Sequence, residues 1–492
     1  MSIQSHHVPH ILDPLLQTNL SFLNSKIFCE NDTFLSISMV IQKILVLREK
    51  LTSIGMQMGD HVAIALPRGV EAAISIYAIL SLGGVYVPLD IHSPSNRLIY
   101  IIKDAGIKYI LGHSIKAEWC PNVIGWVDVT VSLTKKSLKE PFFLSSGGEN
   151  IATILYTSGS TGHPKGIALS HRALCSFSDW AEKTFSVNSN DIVASLTPFS
   201  FDLSIFDLFI PLRSGAYTTF IPEGLTISPT KMTEWLATKE ITIWYTVPSI
   251  LIFLGTKGNL SKIPLPKLHS ILFAGEVFPI NQLKLLSKLL PHTSLYNLFG
   301  PTETNVCAYW RIDRTKLEAL NNIPIGSPAS FAQLKVDHSN HELLVRGPAL
   351  MTGYWQNKMI KNVFDRDGWY RTGDRVSKNS KGEYLYEGRL DRMLKYGGYR
   401  IEPNEIENVI CNFPNIRECA VIGLKNKADQ IDIIAYIVNE VELDRLEFNN
   451  FLRSNLPSYM LPVRFRYLDS VPRLHNGKID LKGIERLELE LC

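Results

Sequence analysis

From residue 60 onward the chain alternates short apolar runs with helix-length stretches, and this alternation limits its fold more than any other feature. Residues 61–67, 85–89 and 108–112 read as strands, with helices at 69–82 and 95–105 between them. Helices of that length let the chain return to the same end of a sheet, so the pattern predicts parallel βαβ units. It resumes after a polar stretch at 132–150, with strand-like segments at 151–156, 241–247 and 269–274. We expect an α/β chain with a large N-terminal domain, residues 1–390, of packed βαβ-type sheets.

After Arg389 the pattern changes to strands near 418–424 and 432–438 lying between helices at 403–412 and 444–456. Residues 391–492 therefore read as a small α+β C-terminal domain of about a hundred residues, a viable size for a separate unit. The 492 residues exceed what one core organises, which agrees with this division.

The 50 basic and 47 acidic side chains nearly balance, with no long block of like charge, so no nucleic-acid partner is implied. No apolar run reaches the roughly 18 residues that span a bilayer, and residues 1–10 lack the apolar segment of a signal peptide. A cytoplasmic protein with no membrane partner is expected. The seven cysteines are scattered without a zinc spacing and read as reduced structural thiols.

The sharpest local feature is Tyr156-Thr157-Ser158-Gly159-Ser160-Thr161-Gly162-His163-Pro164-Lys165-Gly166, which follows a strand and precedes a helix beginning near Ser170. Its glycines let backbone N–H groups approach phosphate oxygens, its hydroxyls add donors, and Lys165 adds a charge. The spacing is not that of a Walker loop, and no Ser or Thr follows the lysine to hold Mg²⁺.

This loop resembles the signature of the adenylate-forming superfamily, which includes adenylation domains of peptide synthetases, acyl-CoA synthetases and luciferases. The resemblance continues in family order from Ser81-Leu82-Gly83-Gly84-Val85-Tyr86-Val87-Pro88-Leu89-Asp90 almost to the end of the chain. It implies the acyl-adenylate synthetase fold with a mobile C-terminal domain, and ATP and Mg²⁺ as cofactors.

Each further motif has a plain structural alternative when taken alone. Asn297-Leu298-Phe299-Gly300-Pro301-Thr302-Glu303-Thr304 could be a turn. By the resemblance, Asn297 and Phe299 meet adenine, Thr302 is catalytic, and Glu303 is both catalytic and the Mg²⁺ ligand. Gly275 and Glu276 belong to the same nucleotide set. Tyr370-Arg371-Thr372-Gly373-Asp374 could hold an Asx-type cap. The resemblance makes Asp374 the ribose acceptor, adds Arg389 to the nucleotide site and makes Asp391 the hinge. Asn476-Gly477-Lys478 could be an exposed hairpin turn; the resemblance makes Lys478 the catalytic lysine bridging the carboxylate and the α-phosphate. His341-Glu342-Leu343 departs from the usual Gly-Glu-Leu and reads as a trimmed surface hairpin.

Phe201-Asp202-Leu203-Ser204 resembles the amino-acid-activating branch, in which the aspartate pairs with the substrate ammonium. A helix-starting Asp is the alternative. Aligning by motif places Leu203, Phe206, Thr246, Leu272, Ala274, Leu298, Val306 and Cys307 around the substrate side chain. None is charged, so a small or medium uncharged amino acid of the proline or alanine type is implied. The runs at 273–279 and 304–307 look like stand-alone ligases that load such residues onto carrier proteins.

Asp469-Ser470 superficially resembles a phosphopantetheine site but lies inside the small domain, so a separate carrier protein with a phosphopantetheine arm is the expected partner. A D-alanine carrier-protein ligase, an acyl-CoA synthetase and a catalytically inactive nucleotide-binding scaffold are the alternatives.

Overall fold

The computed structural model describes residues 9–17, 19–113, 123–130, 147–356, 358–426, 431–439, 441, 443–473 and 479–491. The chain forms two compact units: Met1–Ile91, Ile102–Leu155 and Gly166–Leu390 make the larger, and His92–Ile101, Tyr156–Lys165 and Asp391–Cys492 the smaller. The smaller unit thus takes in the phosphate loop.

In the larger unit a nine-stranded sheet runs in the order Ser327–Pro328, Ala308–Arg311, Ser294–Phe299, Ser270–Phe273, Ile243–Thr246, Ile192–Ser195, Tyr217–Phe220, Lys26–Glu30, Thr33–Ser36. Its central strands are parallel, as the alternation of apolar runs and helices requires. An eight-stranded sheet has the order Met359–Lys361, Gly353–Gln356, Lys165–Ser170, Ile151–Thr157, Val85–Pro88, His61–Ile64, Tyr109–Gly112, Gly125–Asp128. Both sheets contribute to one apolar core, with Phe28, Val193 and Leu272 from the first and Val62, Tyr86 and Leu155 from the second.

The helix Val70–Ser81 buries every residue except Glu71. A helix apolar on all sides is stable only when covered on all sides. Its Tyr77 ring meets both Phe28 and Phe209. Beyond the strand His61–Ile64, Arg68 donates to the carbonyls of Ser195 (2.7 Å) and Ile221 (2.6 Å), so a side chain following one sheet satisfies backbone at the strand ends of the other.

A four-stranded antiparallel sheet, Gln333–Val336, Glu342–Arg346, Tyr370–Lys378 and Tyr384–Arg389, completes the larger unit. His341 turns its first hairpin at a φ of 61°, a left-handed position that costs histidine more than glycine.

The smaller unit is built on the sheet Ile416–Lys425, Ile431–Asn439, Arg464–Tyr467. Side-chain alternation splits its two faces. Val421 and Ile433 pack with Ile406 and Phe448 of the helices Pro403–Cys411 and Arg445–Asn455. Ala420, Ile422 and Ile434 pack with Ile484 of the helix Leu481–Leu491. That last helix is tied down by Glu488, which accepts from Tyr436 (2.6 Å), Arg464 (3.0 Å) and Arg466 (2.8 and 2.9 Å).

Candidate active site

The phosphate loop leaves the strand Ile151–Thr157 and enters the strand Lys165–Ser170; the helix expected near Ser170 follows that second strand as His171–Thr184, with Ser170 capping it. The loop thus lies between two strands, one strand away from the nearest helix terminus. Gly162 donates to the Gly159 carbonyl at 3.0 Å and has a φ of 84°, a tight left-handed turn that suits glycine. The Thr157 hydroxyl is buried without a partner. Ser158 differs: its hydroxyl donates to the Arg400 carbonyl (3.0 Å) and accepts from the Glu402 amide (2.9 Å). Ser160 is engaged through its carbonyl by Asn404 at 3.1 Å, while Thr161 is exposed. Asp391 accepts from the Met393 amide at 3.3 Å. Lys478 lies outside the described residues.

In the larger unit, Asp202 precedes the helix Ser204–Ser214, its carbonyl accepting from the Ile205 amide at 3.0 Å. Burial pushes its carboxyl up to about 6, opposed by the Thr302 hydroxyl and reinforced by the negative charge of Glu303. Three residues named from two distant motifs are thereby neighbours. Glu303 is fully buried and accepts from the Tyr354 hydroxyl at 2.7 Å. The turn carrying it is compact, because a Cβ on Gly300 would lie 1.6 Å from the Asn305 carbonyl oxygen.

Most of the proposed substrate lining falls within one apolar cluster. Phe206, Leu272, Ala274, Leu298 and Val306 are buried in the same apolar cluster, with Leu203 packed against it. Cys307 joins Phe299 in a neighbouring cluster, and Thr246 is buried at the end of its strand. A residue that the motif alignment passed over is Tyr245, whose ring meets Phe206 edge-on at 5.7 Å. Its phenol is held far above its ordinary range by burial and by the charges of Asp202 and Asp207, which sets it beside the aspartate of the lining.

In the four-stranded sheet, Asp374 is fully buried and its Oδ1 accepts from Arg389 at 2.8 Å. Its Oδ2 has no partner, an acceptor suited to a sugar hydroxyl. Phe299 lies 5.9 Å from Tyr386, and Asn297 donates to the Pro324 carbonyl at 2.8 Å. Gly275 turns at a φ of 92°, and Glu276 accepts from the Ser249 amide at 2.8 Å.

With two mixed, mainly parallel sheets that share one apolar core, the chain is an α/β enzyme and belongs to the AMP-binding enzyme family, whose pattern matches residues 36–355. The AMP-binding enzyme C-terminal domain matches residues 405–478. Among its relatives, an L-proline–[L-prolyl-carrier protein] ligase of Streptomyces coelicolor is 34% identical over 472 residues, covering 88% of each chain. One of the same description from Pseudomonas fluorescens is 33% identical over 465 residues, covering 89% of this chain and 91% of that one. The o-succinylbenzoate CoA synthetase of Bacillus subtilis shares the fold, with a TM-score of 0.86 at 20% identity over 97% of this chain and 98% of that one. Among the described residues no helix is long and apolar enough to cross a membrane.

Proposed function

We propose that this protein is an ATP-dependent ligase that adenylates a small uncharged amino acid, proline foremost, and passes the acyl group to the phosphopantetheine thiol of a separate carrier protein. The observation that carries it is the meeting of Asp202 with Thr302 and Glu303, an acceptor for an ammonium beside a candidate metal carboxylate. The proline ligases among its relatives support the substrate class. Uncharged, mostly apolar walls that include the Phe206 and Tyr245 rings suit a pyrrolidine ring.

In the first half-reaction a carboxylate oxygen of the amino acid attacks the α-phosphorus of ATP and pyrophosphate departs, leaving the acyl-adenylate. In the second, the thiolate sulfur attacks the acyl carbon and AMP departs with the bonding pair. Neither step needs a protein nucleophile. The protein supplies orientation and charge.

Asp202 would hold the ammonium, and its charge-assisted bond discriminates against carboxylic acids that would leave it unpaired. Asp374 Oδ2 would accept from the ribose, and Phe299 would face the adenine. Thr157 and Lys165 would donate to phosphate oxygens. Lys478 would bridge the carboxylate and the α-phosphate, and Asp391 would be the hinge between half-reactions. Glu303 is a hard oxygen donor of the kind Mg²⁺ takes together with substrate phosphates, and the ion when bound neutralises phosphate charge.

ATP/pyrophosphate exchange with each proteinogenic amino acid plus D-alanine tests this reading, since it reports adenylation without the carrier. Strong exchange with proline or another small neutral amino acid is expected. Silence across the panel would overturn it.

A further inference from the structure

We infer that Tyr354 is a positioning residue for the carboxylate of Glu303, fixing the oxygen geometry that a divalent cation meets; this rests on the function proposed above. The Tyr354 hydroxyl donates to Glu303 Oε1 at 2.7 Å and lies 2.9 Å from the Tyr370 hydroxyl. With its one hydrogen directed to Glu303, the Tyr354 oxygen accepts from Tyr370. A phenol bonded to one carboxylate oxygen sets the rotation of the group and hence the direction of the other oxygen, as partners of metal ligands do.

The strand that carries Tyr354 is fixed on both sides. Gly353, Tyr354 and Trp355 pair with Ala168, Ile167 and Gly166 of the strand that leaves the phosphate loop. The Thr352 amide donates to the Ala168 carbonyl, and the Met351 amide to the carbonyl of Glu303 itself, both at 2.8 Å. Trp355 donates to the Asp104 carbonyl at 3.0 Å, and its ring meets His61 edge-on at 4.6 Å. The backbone thus delivers the phenol to a carboxylate whose own backbone it holds, with little freedom left in either.

Tyr370 opens the strand Tyr370–Lys378, which also carries Asp374. One run of hydroxyls therefore links the element bearing the ribose acceptor to the carboxylate meant for the metal. A strand rich in aromatics explains Trp355, whose indole is satisfied locally, but not a phenol oxygen directed at a fully buried carboxylate.

The test uses Mn²⁺ as a paramagnetic probe, titrated into the full chain with saturating α,β-methylene-ATP and followed by EPR. Tyr354→Phe is expected to weaken Mn²⁺ binding about 10- to 100-fold, to leave the KM for the amino acid unchanged, and to recover exchange activity at high Mg²⁺. A purely structural role would not move Mn²⁺ affinity alone. Unchanged Mn²⁺ affinity in Tyr354→Phe, with binding intact in the unsubstituted enzyme, overturns the inference by itself. No Mn²⁺–nucleotide binding in the unsubstituted enzyme overturns the proposed function and the inference together. Should Tyr354→Phe fail to fold, Tyr370→Phe removes the second hydroxyl; it is expected to weaken Mn²⁺ binding by a smaller factor, and unchanged affinity there overturns the inference.

Discussion

Arg389 and Asp374 face each other across two antiparallel strands, and one guanidinium nitrogen donates both to the Asp374 carboxylate at 2.8 Å and to the Thr372 carbonyl at 2.9 Å. The pair is buried, so each charge depends on the other and on the bonds around it. Arg389→Ala strands a carboxylate away from water and is expected to destabilise the fold by about 3–5 kcal/mol and to raise the KM for ATP. Adding Asp374→Asn removes the stranded charge, so the double variant should regain thermal stability without regaining ATP affinity. Melting temperatures and the ATP KM of the three proteins check this; an Arg389→Ala protein unchanged in both would disprove the role given to the pair.

Asp202→Asn keeps the shape of the side chain and removes the charge offered to the substrate ammonium. A bond to a charged group is worth about 1.5–3 kcal/mol, so exchange with proline should fall by about ten- to a hundredfold in kcat/KM. Cyclopentanecarboxylic acid, which matches the ring but lacks the ammonium, should not fall with it. If proline exchange survives the substitution, Asp202 is a helix-start residue and no more.

The βα alternation was legible because it is local. The helices expected at 69–82 and 95–105 are Val70–Ser81 and Ser95–Ala105, and the strand expected at 151–156 is Ile151–Thr157. Strand order was not legible, because pairings such as Phe28 with Thr218 join residues far apart in sequence and leave no periodic trace. The ordered motifs pointed to Glu303, Asp374 and Asp202, but not to Tyr245. Every residue of the strand Ile243–Thr246 is buried, so hydrophobic alternation does not say which of its side chains lies beside Asp202. Tyr354 escaped for a similar reason: in the run Gly353-Tyr354-Trp355 a phenol directed at a carboxylate looks like any aromatic strand residue.

Phe206 is fully buried with its ring edge-on to Tyr245 at 5.7 Å, and in the proposed lining it would help set the width. Phe206→Ala should cost about 3–5 kcal/mol of stability and raise exchange with larger apolar amino acids relative to proline. Urea unfolding and an exchange panel with leucine and phenylalanine measure the two effects. A destabilised variant with the original amino-acid ranking would place Phe206 in the core but outside the substrate lining.

Asp207, one turn into the same helix, supplies a pH-dependent prediction away from the chemistry. Its carboxyl is buried, and removal from water pushes the group up to about 8 although the Ser195 hydroxyl and the Arg68 charge oppose the shift. An unfolded aspartate titrates near 3.9. Between about 4 and 8 the folded protein therefore keeps a proton that the unfolded chain has released, and each added pH unit favours unfolding. This one group should make stability fall with rising pH across that window, with a slope of up to about 1.36 kcal/mol per unit, and the slope should vanish above about 8 where both states are ionised. Asp207→Asn is neutral at every pH and should flatten the curve, so the two proteins approach each other near pH 4 and the variant is the more stable at pH 8. Urea midpoints measured from pH 5 to 8 decide it, and parallel curves would mean that Asp207 is ionised in the folded protein, with Arg68 as its counter-charge.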